Sequence, residues 1–123
     1  MATASFLLRY LETLDNTPDE VLPLLAPNIK FCVLWSANGE AQEFAGGMKE
    51  LEGYYAQRQP DGQFHHVELA SREGNSEVAL GYTTRNGERL GTFTMAAQVD
   101  EQGRAVRLYA SRTTSLPFDP VGD

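Results

Sequence analysis

One stretch of the sequence decides the fold: EVALGYTTRNGERLGTFTMAAQV, residues 77–99. Apolar and polar residues alternate on both sides of Asn86-Gly87, which is typical of strands that bury one face. A two-residue type I′ turn needs positive φ at both central positions, and Asn-Gly is among the dipeptides that adopt it most readily. The stretch therefore predicts a β-hairpin with strands over 77–85 and 89–99.

The same period-2 pattern continues on either side of this hairpin. It covers residues 64–72 and 104–115, with turn signals at Gly74-Asn75 and Gln102-Gly103. Sequential strands joined by turns this short run antiparallel. The second half of the chain is therefore predicted to form a four-stranded antiparallel meander.

The N-terminal segment predicts helices. A stripe through Phe6, Tyr10 and Leu14 has helical spacing and predicts a first helix over 4–15. Thr17-Pro18-Asp19-Glu20 has the residues of a helix start, with a capping Thr and a Glu three positions later. Because Pro23 follows closely and lacks an N–H, the second helix should be short or kinked.

The middle of the chain predicts one strand, one loop and a third helix. Residues 29–36 are apolar, β-branched or aromatic at alternating positions and predict the first strand. Residues 38–43 are predicted to be a loop. The third helix begins behind Gly46-Gly47 and ends at Pro60-Asp61-Gly62.

Composition limits the class of protein. At 123 residues the chain suits one domain, predicted to span 1–123. Its 17 acidic residues outnumber the 10 basic ones, and the formal net charge of -7 disfavours nucleic acid and anionic membranes as partners. With one cysteine, no metal-site spacing, no basic leader and no long apolar run, we expect a cytoplasmic protein without metal or cofactor.

Four short segments carry a resemblance to a known family. They are Arg9–Asn16 in the first helix, Leu24–Asn28, Gly46–Leu51 and Gly103–Ala110 in the last hairpin. With the order of helices and strands, they resemble the NTF2-like superfamily, which includes SnoaL-like cyclases and ketosteroid isomerases. The resemblance implies an α+β fold of the NTF2-like (cystatin-like) cone type, with three N-terminal helices packed on a curved antiparallel sheet.

The resemblance also has implications for function. It implies a pocket between the helices and the concave face of the sheet, and a homodimer through the sheet's other face. Tyr10 matches a helix 1 Tyr that serves as an oxyanion donor in the steroid-isomerase branch. The sheet Asp that shares this work in that branch falls on Met95, and residues 29–36 contain no Asp or Glu.

Strand alternation selects side chains that should face the helices. On 64–72 the apolar face carries His65, Val67 and Leu69, which puts His66 and Glu68 on the other face. His65 is then the predicted inward side chain that exchanges a proton near neutral pH. Its alternative role is ordinary packing in a half-buried strand.

Two further side chains complete the predicted catalytic set with His65. Tyr10 could donate a hydrogen bond to a ligand carbonyl, although a Tyr on an amphipathic helix is more often a core residue with a satisfied hydroxyl. Arg112 ends an apolar row and could bind a carboxylate or enolate, or it could form a surface salt bridge.

Apolar side chains complete the predicted pocket, and each has core packing as its alternative. The ligand-binding set is Trp35, Phe44, Tyr54, Tyr55, Tyr82, Met95 and Leu108. No carboxylate is predicted beside His65. Glu77 shares a face with Ala79 and Gly81, and the acidic surplus is interpreted as solvated surface.

Two functions remain open at this point. The first is a SnoaL-like enzyme that isomerises, cyclises or dehydrates an apolar carbonyl compound without a cofactor. The second is a non-catalytic module that binds a ligand in the cone or a protein on the sheet face. The predicted partners are a small apolar or polycyclic ligand and a second copy of the chain. An inward Asp or Glu near His65 would favour the enzyme.

Overall fold

A computed structural model of the chain describes residues 3–37, 39–56 and 62–114. This part contains two α-helices, two 3-10 turns and six strands. The helices are α1 (Ser5–Asn16) and α2 (Met48–Ala56), and the turns are Pro18–Glu20 and Leu22–Leu24. The strands are β1 (Leu25–Ala37), β2 (Glu40–Gly46), β3 (Gln63–Glu73), β4 (Ser76–Arg85), β5 (Glu88–Val99) and β6 (Ala105–Thr113). No helix within these ranges is long and apolar enough to cross a membrane.

All six strands form one sheet in the order β2-β1-β6-β5-β4-β3. Neighbouring strands are antiparallel except β1 and β6, which run parallel, with Phe31 opposite Leu108 and Trp35 opposite Arg112. The sheet is therefore mixed, and the prediction of a wholly antiparallel sheet is wrong. Turn signals could not reveal this pair, because the two strands are far apart in the chain and no turn joins them.

The helices differ from the prediction in number and position. The first is confirmed, with Phe6, Tyr10 and Leu14 buried. The second is only a pair of 3-10 turns, since Pro23 cannot donate the N–H that an α-helix would need there, and Thr17 makes no side-chain cap. The third is α2, which follows β2. The expected three N-terminal helices are thus two α-helices, of which only α1 precedes the sheet.

The segment predicted to be a loop over 38–43 is largely a strand. β2 pairs with β1 in antiparallel register, with Val33 opposite Phe44. It lies at the edge of the sheet, and its first four residues are exposed. An exposed edge strand does not need alternating apolar residues, so the sequence carried no strand signal there.

The meander over β3 to β6 is confirmed. Asn86 and Gly87 have φ values of 52° and 84°, as a type I′ turn between β4 and β5 requires. The helices cover one face of this sheet, which we call the inner face, and its opposite is the outer face. The inner face supplies most of the buried core, including Ala79, Phe93 and Leu108.

A β-bulge at Glu68 changes which residues of β3 face inward. Val67 pairs with Gly81 but Leu69 pairs with Leu80, so Glu68 is an extra residue on β3. Beyond the bulge the alternation is reversed, and Leu69 lies 60% exposed on the outer face. The prediction that Leu69 faces inward is therefore wrong, whereas His65 does face the helices.

The bulge also brings Arg72 to the buried carboxylate of Glu77. Glu77 is 0% exposed, and Arg72 Nη1 donates to its Oε2 at 3.0 Å. The other donors are main-chain N–H groups of α1: Phe6 at 3.3 Å and Leu7 at 2.9 Å. Because Ala4 at the N-cap position offers no side-chain acceptor, Glu77 satisfies two helix donors from across the core.

We predict that Glu77→Ala destabilises the fold strongly. The variant leaves two main-chain donors and Arg72 without their acceptor. The free energy of unfolding should fall by about 3 kcal/mol, the low end for a broken buried pair, because Arg72 is partly exposed and can be solvated. Urea denaturation measures this change. Glu73→Ala removes an exposed acid from β3 and should change stability by less than about 0.5 kcal/mol; equal losses in the two variants would contradict the prediction.

Candidate functional site

A cavity of about 180 Å³ lies between the helices and the inner face of the sheet. Tyr10 of α1 and Tyr54 of α2 line it from the helices. The sheet contributes side chains from four strands: Phe31 and Trp35, His65, Phe93 and Met95, and Arg112. The three predicted catalytic residues, Tyr10, His65 and Arg112, thus border one cavity.

A carboxylate lies directly behind His65. Asp15, in the last turn of α1, places Oδ1 2.7 Å from His65 Nδ1, and its Oδ2 accepts the main-chain N–H of His65 at 2.7 Å. Both side chains are largely buried, with 6% of Asp15 and 10% of His65 exposed. An ionised carboxylate can only accept hydrogen bonds, so this geometry puts the imidazole proton of the neutral ring on Nδ1. Nε2 is then the ring nitrogen that can accept a proton from a ligand.

Sequence reasoning missed Asp15, and the expectation that no acid lies beside His65 is wrong. The signal was present in the helical stripe. Asp15 follows Leu7 by eight positions and Leu11 by four, so it lies on the same face of α1 as those buried residues. The prediction considered only acids on the strands, and it treated the acids of α1 as surface.

The second polar group in the cavity wall is the hydroxyl of Tyr10, which is paired with a tyrosine outside the lining. The hydroxyl of Tyr10 is hydrogen-bonded to that of Tyr55, which α2 brings from the other side of the core. Both residues are 3% exposed. A Tyr hydroxyl can both donate and accept a hydrogen bond, and either hydroxyl can be the donor in this pair.

The predicted ligand-binding residues divide into three groups. Trp35, Tyr54 and Met95 line the cavity. Phe44, Tyr55 and Leu108 lie outside the lining, where Phe44 packs on Tyr54 with 4.9 Å between ring centroids and Leu108 is a core residue at 2% exposure.

Tyr82 lies instead on the outer face, because its neighbours on β4, Gly81 and Thr83, take the inward positions. It stacks on His66 with 4.7 Å between ring centroids, and the Arg89 guanidinium lies 4.2 Å from its ring centre. Tyr82 is therefore separated from the cavity by the sheet.

Apart from Asp15, the surroundings of His65 in the cavity are mainly aromatic and carry little charge. The rings of His65 and Phe93 meet edge to face, with 5.0 Å between their centroids. Among the described residues that line the cavity, none is Asp or Glu and the one Arg is Arg112. Over the described ranges, no cluster of three His, Cys, Asp or Glu side chains is placed to hold a metal ion.

Comparison with known proteins identifies the fold. No family model and no curated protein sequence matches the chain. A proposed ketosteroid isomerase from Kribbella flavida has a TM-score of 0.65 at 16% identity, over 97% of this chain and 82% of the other. The proposed polyketide cyclase IdmH from Streptomyces antibioticus has a TM-score of 0.67 at 13% identity, over 89% and 90%.

A third solved structure is described as an NTF2-like protein. It comes from Cytophaga hutchinsonii, its function is unknown, and it has a TM-score of 0.61 at 16% identity, over 91% of this chain and 90% of the other. These likenesses confirm the NTF2-like fold expected from the sequence. At such low identity they show the fold alone.

We predict that Asp15→Asn changes the tautomer of His65. The Asn side chain can accept the main-chain N–H with its oxygen, but its NH₂ group then donates to Nδ1 and forces the ring proton onto Nε2. Nitrogen-15 NMR of the imidazole distinguishes the two tautomers. His66, on the outer face, is an internal control whose signals should not change. An unprotonated Nδ1 of neutral His65 in the unaltered protein would contradict this assignment.

Proposed function

We propose that this chain, which has the NTF2-like fold, binds an apolar carbonyl compound in its cavity and moves a proton on it without a cofactor. The observation that carries the proposal is the buried Asp15–His65 pair at the cavity wall. Isomerisation, cyclisation and dehydration of such compounds can all begin by removal of a proton next to the carbonyl. The proposal is one of these three reaction types.

His65 is the base in this scheme. Its Nε2 takes the proton from the carbon, and the ring becomes an imidazolium. Asp15 holds the ring in position through Nδ1 and stabilises the positive charge that forms. Because the main-chain N–H of His65 also binds Asp15, the carboxylate is fixed before the substrate arrives.

Tyr10 and Arg112 have the second role, at the carbonyl oxygen. Removal of the proton places negative charge on that oxygen. A hydrogen bond from the Tyr10 hydroxyl and the positive charge of Arg112 would stabilise it. The aromatic walls place material of low dielectric constant around both groups, which strengthens both interactions. The described likeness to a proposed isomerase and a proposed cyclase supports this class of reaction.

The test is hydrogen exchange at carbon. The protein is mixed in D₂O with a panel of α,β-unsaturated ketones containing one, two and four rings, and deuterium uptake is followed by NMR. The unaltered protein should accelerate uptake into at least one member. His65→Gln should slow it by about 100-fold or more, which is the usual contribution of a general base.

The matched control is His66→Gln. His66 is the neighbouring residue on β3, and its side chain lies on the exposed outer face, so its loss should leave the exchange rate unchanged. Exchange at the same rate in the His65 and His66 variants would refute the catalytic role. Binding of a ketone without any acceleration would leave the non-catalytic ligand-binding module, our second candidate.

The outer face supports a homodimer in the same proposal. Leu69, Val78 and Tyr109 are 60%, 50% and 41% exposed on it, and the hydroxyls of Thr94 and Ser111 bind each other at 2.7 Å. Two copies that each carry a net charge of -7 repel one another, so an uncharged apolar patch is the surface on which they can meet. We place such a dimer in the cytoplasm, as the single cysteine suggested.

Sedimentation equilibrium tests the dimer. At tens of micromolar the protein should have twice its chain mass of 13.6 kDa. Val78→Glu puts a charge in the centre of the apolar patch and should yield a monomer, since a buried unpaired charge is costly. Leu8→Glu changes an exposed apolar residue of α1 and should remain dimeric. A monomeric unaltered protein, or a dimer that survives Val78→Glu, would refute the interface.

A further inference from the structure

The volume of the cavity limits what it can hold. The space between its walls is about 180 Å³, and the cavity is open to solvent on one side. An apolar cavity of about 150 Å³ can hold one benzene molecule, whereas pockets for larger organic ligands begin near 300 Å³. The space between the walls therefore fits one six-membered ring with a small substituent, and a fused-ring system is too large to lie wholly inside it.

Packed aromatic rings on one side keep the cavity from widening. The Phe31 ring lies 6.0 Å from Tyr54 and 6.4 Å from Tyr55, measured between centroids. Tyr54 in turn packs on Phe44 at 4.9 Å. A ligand that pushed Phe31 outward would have to move this whole cluster, and close-packed interiors resist such displacement.

The opposite wall is tied to the chemistry. Phe93 and Met95 are 3% and 6% exposed, so they have no solvent-filled space into which to retreat. Phe93 also meets the edge of the His65 ring. A ligand that displaced Phe93 would disturb the ring that Asp15 holds, so an oversized ligand would weaken the site as well as strain the wall.

We propose that the cavity selects compounds with a single six-membered ring that carries a carbonyl oxygen, and that it excludes fused-ring compounds. The need for the oxygen rests on the proposed function, because Tyr10 and Arg112 are the groups assigned to it there. The limit on ring number rests on the volume and the packing of the walls. Of the two ligand types expected from the sequence, this keeps the small apolar one and removes the polycyclic one.

A series of ketones with one shared head group tests the limit. The compounds are cyclohex-2-enone, a bicyclic ketone with the same enone in a fused second ring, and the four-ring androst-4-ene-3,17-dione. Binding is measured by calorimetry and by quenching of Trp35, the one Trp in the chain and a lining residue. Cyclohexenone should bind. The bicyclic ketone should have an affinity at least about tenfold lower, and the steroid should show no binding up to its solubility limit.

This order is informative because hydrophobicity alone predicts the reverse. Each added ring increases the apolar area that leaves water, so an open groove would bind the larger ketones more tightly. Equal or tighter binding of the bicyclic or four-ring ketone would overturn the proposal. Failure of cyclohexenone to bind would overturn it too.

Variants in β5 test which side chains set the limit on ligand size. Met95→Ala removes part of the cavity wall and should raise the affinity for the bicyclic ketone relative to cyclohexenone by about tenfold. Val99→Ala shortens a buried core residue of the same strand that does not line the cavity, so it should keep the original order. If Met95→Ala does not fold, Met95→Val should shift the order in the same direction. An unchanged order in the folded variant would refute the assignment of the wall.

The two proposals fail separately. His65→Gln should slow hydrogen exchange by about 100-fold or more but preserve the order of ring sizes, because it leaves the aromatic walls in place. If none of the ketones exchanges in the unaltered protein while the order holds, the proposed function is refuted and the size limit stands. If the order fails while exchange depends on His65, the size limit alone is refuted.

Discussion

The rest of the site depends on one contact, in which Glu77 accepts hydrogen bonds from two main-chain N–H groups of α1. A carboxylate on β4 holds the first turn of α1 against the sheet, and Arg72 neutralises it. The position of α1 determines where Tyr10 and Asp15 lie, since both point from that helix toward the inner face. Asp15 is eight residues beyond Leu7, about 12 Å along the helix axis. A tilt of the helix at its first turn would therefore move Asp15 away from its position beside His65.

At both of its ends, α1 is attached to the sheet by hydrogen bonds from main-chain N–H groups to a carboxylate. At one end the helix supplies the N–H groups, and at the other end it supplies the carboxylate. At its N-terminus a sheet carboxylate accepts main-chain N–H groups of the helix. At its C-terminal turn a helix carboxylate, that of Asp15, accepts a main-chain N–H of the sheet at His65. Asp15 therefore supports the scaffold as well as the imidazole, and loss of its acceptor oxygens would affect both. Buried charges held this way have little freedom to reorganise, which suits a site meant to meet developing charge.

How much the sequence could predict depended on whether the relevant contact is local in the chain. The Asn86-Gly87 hairpin was predictable because its turn needs two specific residues in succession. The strand Glu40–Gly46 was not, because an exposed edge strand carries no alternating apolar pattern. The parallel pairing of β1 with β6 was not, because its backbone partners are distant in sequence. Leu69 was assigned to the wrong face because a bulge leaves no mark in a period-2 pattern. The buried position of Asp15 could have been predicted, because it lies on the apolar stripe of the first helix. Its contact with His65 could not, because that partner lies fifty residues away in the chain.

The bulge at Glu68 reverses which residues of β3 face inward, so the two parts of the strand follow opposite alternation. Ahead of the extra residue, odd-numbered positions such as His65 face inward; beyond it, even-numbered positions such as Arg72 do. A strand without the insertion could direct only one of these two side chains into the core. Gly81 opposite cannot accept a side chain, since a Cβ there would lie 1.9 Å from the carbonyl oxygen of His66. A side chain at position 81 would therefore displace the bulged strand, so the contact of Arg72 with Glu77, and with it the anchor of the first helix, depends on a glycine on the facing strand.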